Sequence, residues 1–442
     1  MQSPAQHPSW SSRWTFIMAA TGSAVGLGNI WKFPYITGEN GGGAFVLAYL
    51  LCMLIVGLPI LMAEILMGRH ARSNPISALR QLARESDASP LWGGIALIGL
   101  CASLLIIMFY SVIGGWIVDY FFASASGSLA NNTAAQINDH FNKDLLSNPL
   151  RQLGFFSVFL ASALTINALG VNQGIGKMMN VMMPLLFALL LSLLVLSSTQ
   201  SSFQQGLDFM FTPDFSKLTP HAWLVALGHA FFSLSLGMCA ILAYGAYMPN
   251  QVSIVKTAVT IGLLDAAVAL ISSMIIFPLI FAHDLDIAAG PSLMFISLPL
   301  AFSQLPWGAV IAAAFFFAVF IAAWSSAISL LEPSIAWLSE RTPLSRLHAA
   351  LLVGVLVWCG GAACIYVDGF FDHIDFFASN ILLPLGGLLI AIFCGWIMKR
   401  KIAKTQLSDL SYHQFNLWYG TLRVVSPIAV LIVMAFSLGL LG

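Results

Sequence analysis

The chain of 442 residues is 59% hydrophobic and only 8% charged, and its acidic and basic side chains balance to zero. That balance excludes a water-soluble globular domain of this size and leaves no basic footprint for nucleic acid. Apolar runs long enough to cross about 30 Å of hydrocarbon recur along the whole length, which favours an all-α integral membrane protein over a closed barrel.

Eleven transmembrane segments are predicted, at 13–38, 43–69, 91–123, 152–170, 174–198, 222–247, 254–282, 307–339, 346–366, 374–399 and 416–441. The residues before segment one are polar and lack a basic n-region or a small-residue cleavage site, so segment one is expected to be retained. Arg13, the Arg69/Arg72/Arg80/Arg84 cluster, Lys177, Lys256, Arg341, Arg346 and Lys399 to Lys404 fall at one set of connections. The opposite set is mostly acidic, with Asp139, Asp144, Asp208, Asp214, Asp284, Asp286, Asp368, Asp372 and Asp375. The positive-inside rule then expects a cytoplasmic N-terminus and, after eleven crossings of the cell (inner) membrane, a C-terminus outside. Six cysteines lie in or beside apolar segments without metal-ligand spacing and read as small core hydrophobes.

Segment one contains GSAVGLGNIWKFP, residues 22–34. Gly22 and Gly26 alone would suit close helix packing. Asn29 and Lys32 are not explained that way, because an amide and an ammonium deep in a membrane are costly unless they bind something. Unwinding here would free carbonyl oxygens, which are tolerated only in a cavity or around a ligand, and a hard cation such as Na⁺ is their natural occupant. Segment six carries a matching small-residue interruption, Ser233 to Cys239. With four segments between the two, segment six starts five crossings after segment one, so the groups enter the membrane from opposite sides as inverted repeats. Paired interruptions of this kind point to a transporter's central site.

GSAVGLGNIWKFPYITGENGGGAF resembles the first helix of the neurotransmitter:sodium symporter family, itself the standing example of such paired interruptions. FYSVIGGW, FFSLSLGM, WSSAISLLEP and GFFDHIDFF continue the resemblance, most of all to eleven-helix bacterial members that import hydrophobic amino acids. The resemblance implies a 5+5 inverted-repeat fold with helices one and six unwound at mid-membrane. It divides the chain into a cytoplasmic tail (1–12), a first repeat (13–198), an outer loop (199–221), an inverted second repeat (222–399), and an inner loop with the last helix (400–442).

Carried across by position, the resemblance implies a first sodium site from the Ala24 carbonyl, Asn29, Ser233 and Asp265, completed by the substrate's carboxylate. A second would use the carbonyls of Gly22, Val25 and Ala322 with the hydroxyls of Ser325 and Ser326. By themselves those two serines read more simply as packing or back-bonding to the preceding turn. The substrate carboxylate would meet amides near Leu27 and Gly28 and the Tyr110 hydroxyl, where a half-helix N-terminus favours an anion. The ammonium would lie among Ser23, Ala24, Phe232, Ser233 and Ser235, and the side chain among Ile106, Phe232, Met238, Ser326 and Leu330. Amine-carrying relatives place an aspartate at the position of Gly26, so a glycine there points to a substrate that brings its own carboxylate. At the position of Asp265 the family usually has asparagine, and one turn later, where chloride-dependent relatives have a hydroxyl, stands Ala269. Two sodium ions and no chloride are therefore expected, with Asp265 as the fixed negative charge.

Lys32 and Asp375 match an outer gate with Tyr110 and Phe232 as the lid below. Trp10, Tyr247 and Glu340 match an inner gate, whose usual arginine is replaced by His7. Gly174 and Pro184 resemble the spacing that lets helix five unwind. Glu64 would brace the break in segment six, and Glu332 would pair internally. Two other readings are a sensor that binds an amino acid without moving it and an intramembrane enzyme. The first has no appended signalling domain in this sequence, and the second finds neither HExxH nor GxSxG. The chain is therefore read as a transporter and not as an enzyme, partnered by an L-amino acid and the bilayer.

Overall fold

The computed structural model describes residues 9–283, 285, 290 and 292–440, so His7, Asp284 and Asp286 lie outside the described residues. Every regular element among those residues is helical. Nine of the helices are long and apolar enough to cross a membrane, from Gly43–Ala71 to Tyr412–Ser437, with ends within four residues of the predicted segments. The other two segments are each divided: segment one into Arg13–Ala24 and Phe33–Glu39, segment six into Pro220–Ser233 and Ala240–Ala246.

Side-chain caps set many of the helix starts. Ser12 accepts from the Thr15 amide, Asn74 precedes Pro75 and accepts from Ser77, and Ser411 forms a reciprocal box with Gln414. Proline also leaves its mark inside the bundle. Five π-helical stretches, at Gly28–Lys32, Met53–Gly57, Leu293–Ser297, Phe377–Leu382 and Thr421–Val425, each run into a helix with proline in its first two positions. A proline has no N–H for the carbonyl four residues back and its ring crowds it, so the chain widens by one residue ahead of it.

Segment three, Pro90–Ala125, packs along segment eight, Gly308–Arg341, in the most extensive helix contact of the molecule. These two helices are largely buried, whereas Val171–Ser198, Arg346–Tyr366 and Tyr412–Ser437 bury about a third or less of their apolar stretch. Their outward faces carry Leu191, Val195, Leu351, Val355, Leu417 and Ile428, side chains that only hydrocarbon would cover without cost. Cys101 and Cys359 share this outward exposure, so of the six cysteines only Cys52, Cys239 and Cys394 are buried, and the expectation of six core hydrophobes is corrected to three.

Candidate functional site

The helix of segment one ends at Ala24 because Val25 turns away to φ −71°, ψ 112°. The Gly26 amide then donates to Asn29 Oδ1 at 3.1 Å instead of to a carbonyl one turn back. That leaves carbonyls pointing at segment eight. Ser326 Oγ lies 3.1 Å from the Val25 oxygen and 3.4 Å from those of Gly22 and Ser23. A hydroxyl has one proton to give, so Ser326 alone cannot satisfy all three carbonyls. Ser325 sits beside them, its Oγ donating to the Ala322 carbonyl at 3.0 Å. The residues assigned by resemblance to a second sodium site are thus brought together as an oxygen-rich niche.

Asn29, Asp265 and Ser233 converge through a residue that the sequence reading missed. Asn29 Nδ2 donates to the Asp265 carbonyl at 3.0 Å and to its Oδ1 at 2.8 Å. Tyr49 OH donates to Asp265 Oδ2 at 2.9 Å and stands 3.2 Å from Ser233 Oγ. Asn29, Tyr49 and Asp265 are 0% exposed. A carboxylate this deep persists only with donors of this kind around it. The His229 ring packs against Tyr49 and stacks on Phe33 behind the network.

The break in segment six is longer and more contorted. Between Ser233 and Ala240, Ser235, Gly237 and Cys239 all adopt left-handed conformations, at φ 54°, 79° and 62°. Gly237 cannot be replaced there, since a Cβ would lie 2.3 Å from the Leu383 carbonyl oxygen. Glu64 Oε1 accepts from the Gly237 amide at 2.7 Å, and Ser103 Oγ donates to the Met238 carbonyl at 2.6 Å. Ser235 Oγ donates to the Ser23 carbonyl at 2.7 Å, which ties one break to the other. Ser23 Oγ in turn donates to Ser329, a further residue the sequence reading did not single out.

All the residues that the resemblance assigns to the substrate line one small cavity of about 20 Å³ between the breaks, together with Gly26. A Cβ on Gly26 would stand 2.6 Å from Ser326 Oγ and 3.0 Å from Tyr110 OH, so only glycine leaves this space open. The Leu27 amide donates to Tyr110 OH at 3.3 Å. Tyr110 and Phe232 line both this cavity and a vestibule of about 370 Å³ that also contains Lys32 and Asp375. Lys32 rests its ammonium 5.1 Å over the Phe232 ring, while Asp375 accepts the Ser379 hydroxyl at 2.8 Å.

At the other end Trp10, 2% exposed, plugs the bundle. Its amide donates to the Tyr247 carbonyl at 2.8 Å and its indole N–H to the Tyr244 carbonyl at 3.0 Å. Tyr247 OH donates to Glu332 at 3.0 Å, and Glu332 forms an ion pair with Arg346. Glu340 accepts from the backbone and side chain of Asn74 at 2.9 and 2.7 Å. Gly174 lies in the π-helical start of segment five, packed so that a Cβ would meet the Ile166 carbonyl oxygen at 2.1 Å, and Pro184 lies within its helix. A second buried aspartate, Asp119, also escaped the sequence reading. It is held by Arg151 at 2.7 Å and His140 at 3.1 Å. Among the described residues no cluster of three or more His, Cys, Asp and Glu could hold a metal ion.

An all-helical membrane bundle in which two broken helices share a cavity lined by both polar and apolar side chains defines a multi-pass membrane transporter. The profile of the Sodium:neurotransmitter symporter family matches residues 7–152 and 146–441, and the chain belongs to that family. It is a sodium-dependent transporter and not an enzyme. It is 37% identical over 459 residues to the uncharacterized sodium-dependent transporter YhdH of Bacillus subtilis (strain 168), covering 100% of this chain and 99% of that one. A rat relative, the sodium-dependent neutral amino acid transporter SLC6A17, is 28% identical over 298 residues, 61% of this chain and 40% of that protein. Among solved structures, MhsT in complex with L-phenylalanine superposes with a TM-score of 0.88 at 39% identity, covering 97% of this chain and 99% of the other.

Proposed function

We propose that the chain imports hydrophobic L-amino acids together with two sodium ions by alternating access, without chloride. The observation that carries this reading is the convergence of the two breaks on one cavity. Oxygen groups are gathered at both ends of the broken stretch of segment one, and apolar Ile106, Met238 and Leu330 stand opposite. The space left by Gly26 favours a guest that supplies its own carboxylate, and the MhsT–phenylalanine likeness favours an apolar side chain. In this reading segments one and six are spans unwound at mid-membrane, so the nine continuous helices become eleven crossings in two inverted repeats of five plus a last helix. Lys32 and Asp375 with Tyr110 and Phe232 act as the outer gate, and Trp10, Tyr247 and Glu340 as the inner one. The chain sits in the cell membrane with its N-terminus in the cytoplasm.

The ion count has an energetic consequence. At about 100 mV, inside negative, and a roughly tenfold sodium gradient, each ion supplies about 2.3 kcal/mol electrically and about 1.4 kcal/mol chemically. Two ions therefore support up to about 10⁵-fold accumulation of a zwitterion, whereas one supports a few hundredfold.

Uptake of a labelled amino-acid panel into proteoliposomes under an imposed sodium gradient tests this. The expected result is accumulation of apolar amino acids, unchanged when gluconate replaces chloride and lost in Asn29→Ala. Chloride-stimulated uptake, or no sodium-driven accumulation, would contradict it.

A further inference from the structure

Gly22, whose carbonyl lines the second oxygen niche read above as a sodium site, is covered by side chains that none of the niche's ligands supplies. A Cβ placed on Gly22 would come within 2.9 Å of Met179 Sδ and 3.2 Å of Met183 Sδ. Both methionines are on segment five, are 1% and 0% exposed, and are spaced by four so that they share one face of the helix. The same face continues toward the inner end as a series of ties to segment one. Asn180 Nδ2 donates to Thr15 Oγ1 at 3.0 Å, Gly176 packs against Thr15 and Trp10, and Asn172 Nδ2 donates to the Ser9 carbonyl at 2.8 Å. The Asn180 Oδ1 atom is buried without a partner, so this seam is not closed by its best geometry.

We propose that Met179 and Met183 form the inner stopper of the second sodium site, moved aside whenever an ion leaves toward the cytoplasm. This rests on the ion reading of the niche. The chemistry of the thioether suits the task. Sulfur is a soft, weak acceptor that does not compete with oxygen for a hard cation, so the stopper excludes water without becoming a ligand. An unbranched side chain with three rotatable bonds can also swing clear without the helix having to shift as a body. The Asn180–Thr15 bond and the Gly176 contact hold the helix close enough for the two sulfurs to cover Gly22. Asn180 lies three residues before Met183 and Gly176 three before Met179, so they are positioning contacts.

The unmodified protein provides the test, by brief hydrogen peroxide footprinting read by mass spectrometry. Each reactive thioether takes one oxygen atom from peroxide and leaves water, so sulfoxide yield reports access. Met179 and Met183 are expected to oxidise readily in choline and severalfold more slowly in sodium. Met178 and Met182, half-buried on the outer side of the same helix, should react alike in both. Equal oxidation of Met179 and Met183 with and without sodium overturns the proposal. A Met179→Ala/Met183→Ala protein should need severalfold more sodium for half-maximal phenylalanine binding, and Met179→Leu/Met183→Leu, which refills the volume, should return near the parental value. An alanine pair indistinguishable from the parent also overturns it. The ion reading fails separately, if Ser326→Ala leaves the sodium dependence of phenylalanine binding unchanged.

Discussion

The two helix breaks are made in different ways. Segment one leaves its helix through a single extended residue, Val25, and resumes at Gly28 with no left-handed residue in between. Its freed groups are met by its own Asn29 and by Ser326 and Tyr110 from other segments. Segment six stays broken from Leu234 to Cys239 through three left-handed residues, and its exposed backbone is fixed by Glu64 and Ser103 from neighbouring helices. The first break therefore has spare oxygen capacity for something that comes and goes. The second is held by permanent protein contacts, at a cost in backbone strain of about 1–2 kcal/mol for each non-glycine left-handed residue. Ions are expected to govern the order of the first break much more than that of the second.

The largest effect that separates them should come from Glu64→Ala. It strips a buried backbone amide of its acceptor, at about 1–3 kcal/mol. Thermal unfolding should show that loss of stability, with uptake abolished and no rescue by saturating sodium. Rescue by sodium would mean that the two breaks are not held differently. Next, Gly26→Ala should leave the fold intact yet nearly abolish substrate binding, because the new methyl would meet Ser326 and Tyr110 inside the cavity. Binding that survives would place the substrate elsewhere. The smallest effect is expected from Cys239→Gly, which removes left-handed strain of about 1 kcal/mol but also the thiol packed against Gly99. A small change in melting temperature in either direction, with sodium dependence untouched, is the expected outcome, and altered sodium dependence would break the comparison.

The legible parts of this molecule were those with local signals. Long apolar runs gave the helix positions to within four residues, because length and hydropathy alone define them. Glycines at 22, 26 and 28 and the serines of segment six marked both interruptions. Tyr49 and Ser103 were not legible, since each is a lone polar residue in an apolar run, and Ser329, though inside WSSAISLLEP, has a partner 306 positions away that no local signal marks. Tyr49 meets Asp265 216 positions away and Ser103 meets Met238 135 positions away. The left-handed turns at Ser235 and Cys239 could not be anticipated either, because neither residue is a glycine and tertiary contacts impose their backbone angles. The widening of the helix ahead of Pro34, Pro59, Pro299, Pro384 and Pro427 follows from proline chemistry, but whether a π-helical turn or a plain kink absorbs it is decided by packing.

Equilibrium binding of labelled phenylalanine to the purified protein, titrated with sodium against a choline background, tests most directly that the two breaks act as one site. Binding should require sodium and rise cooperatively with it in the parent, and Asn29→Ala and Ser326→Ala should each weaken it by at least about tenfold, which corresponds to about 1.4 kcal/mol. Phenylalanine bound equally well in choline, or left unaffected by both substitutions, would contradict the account.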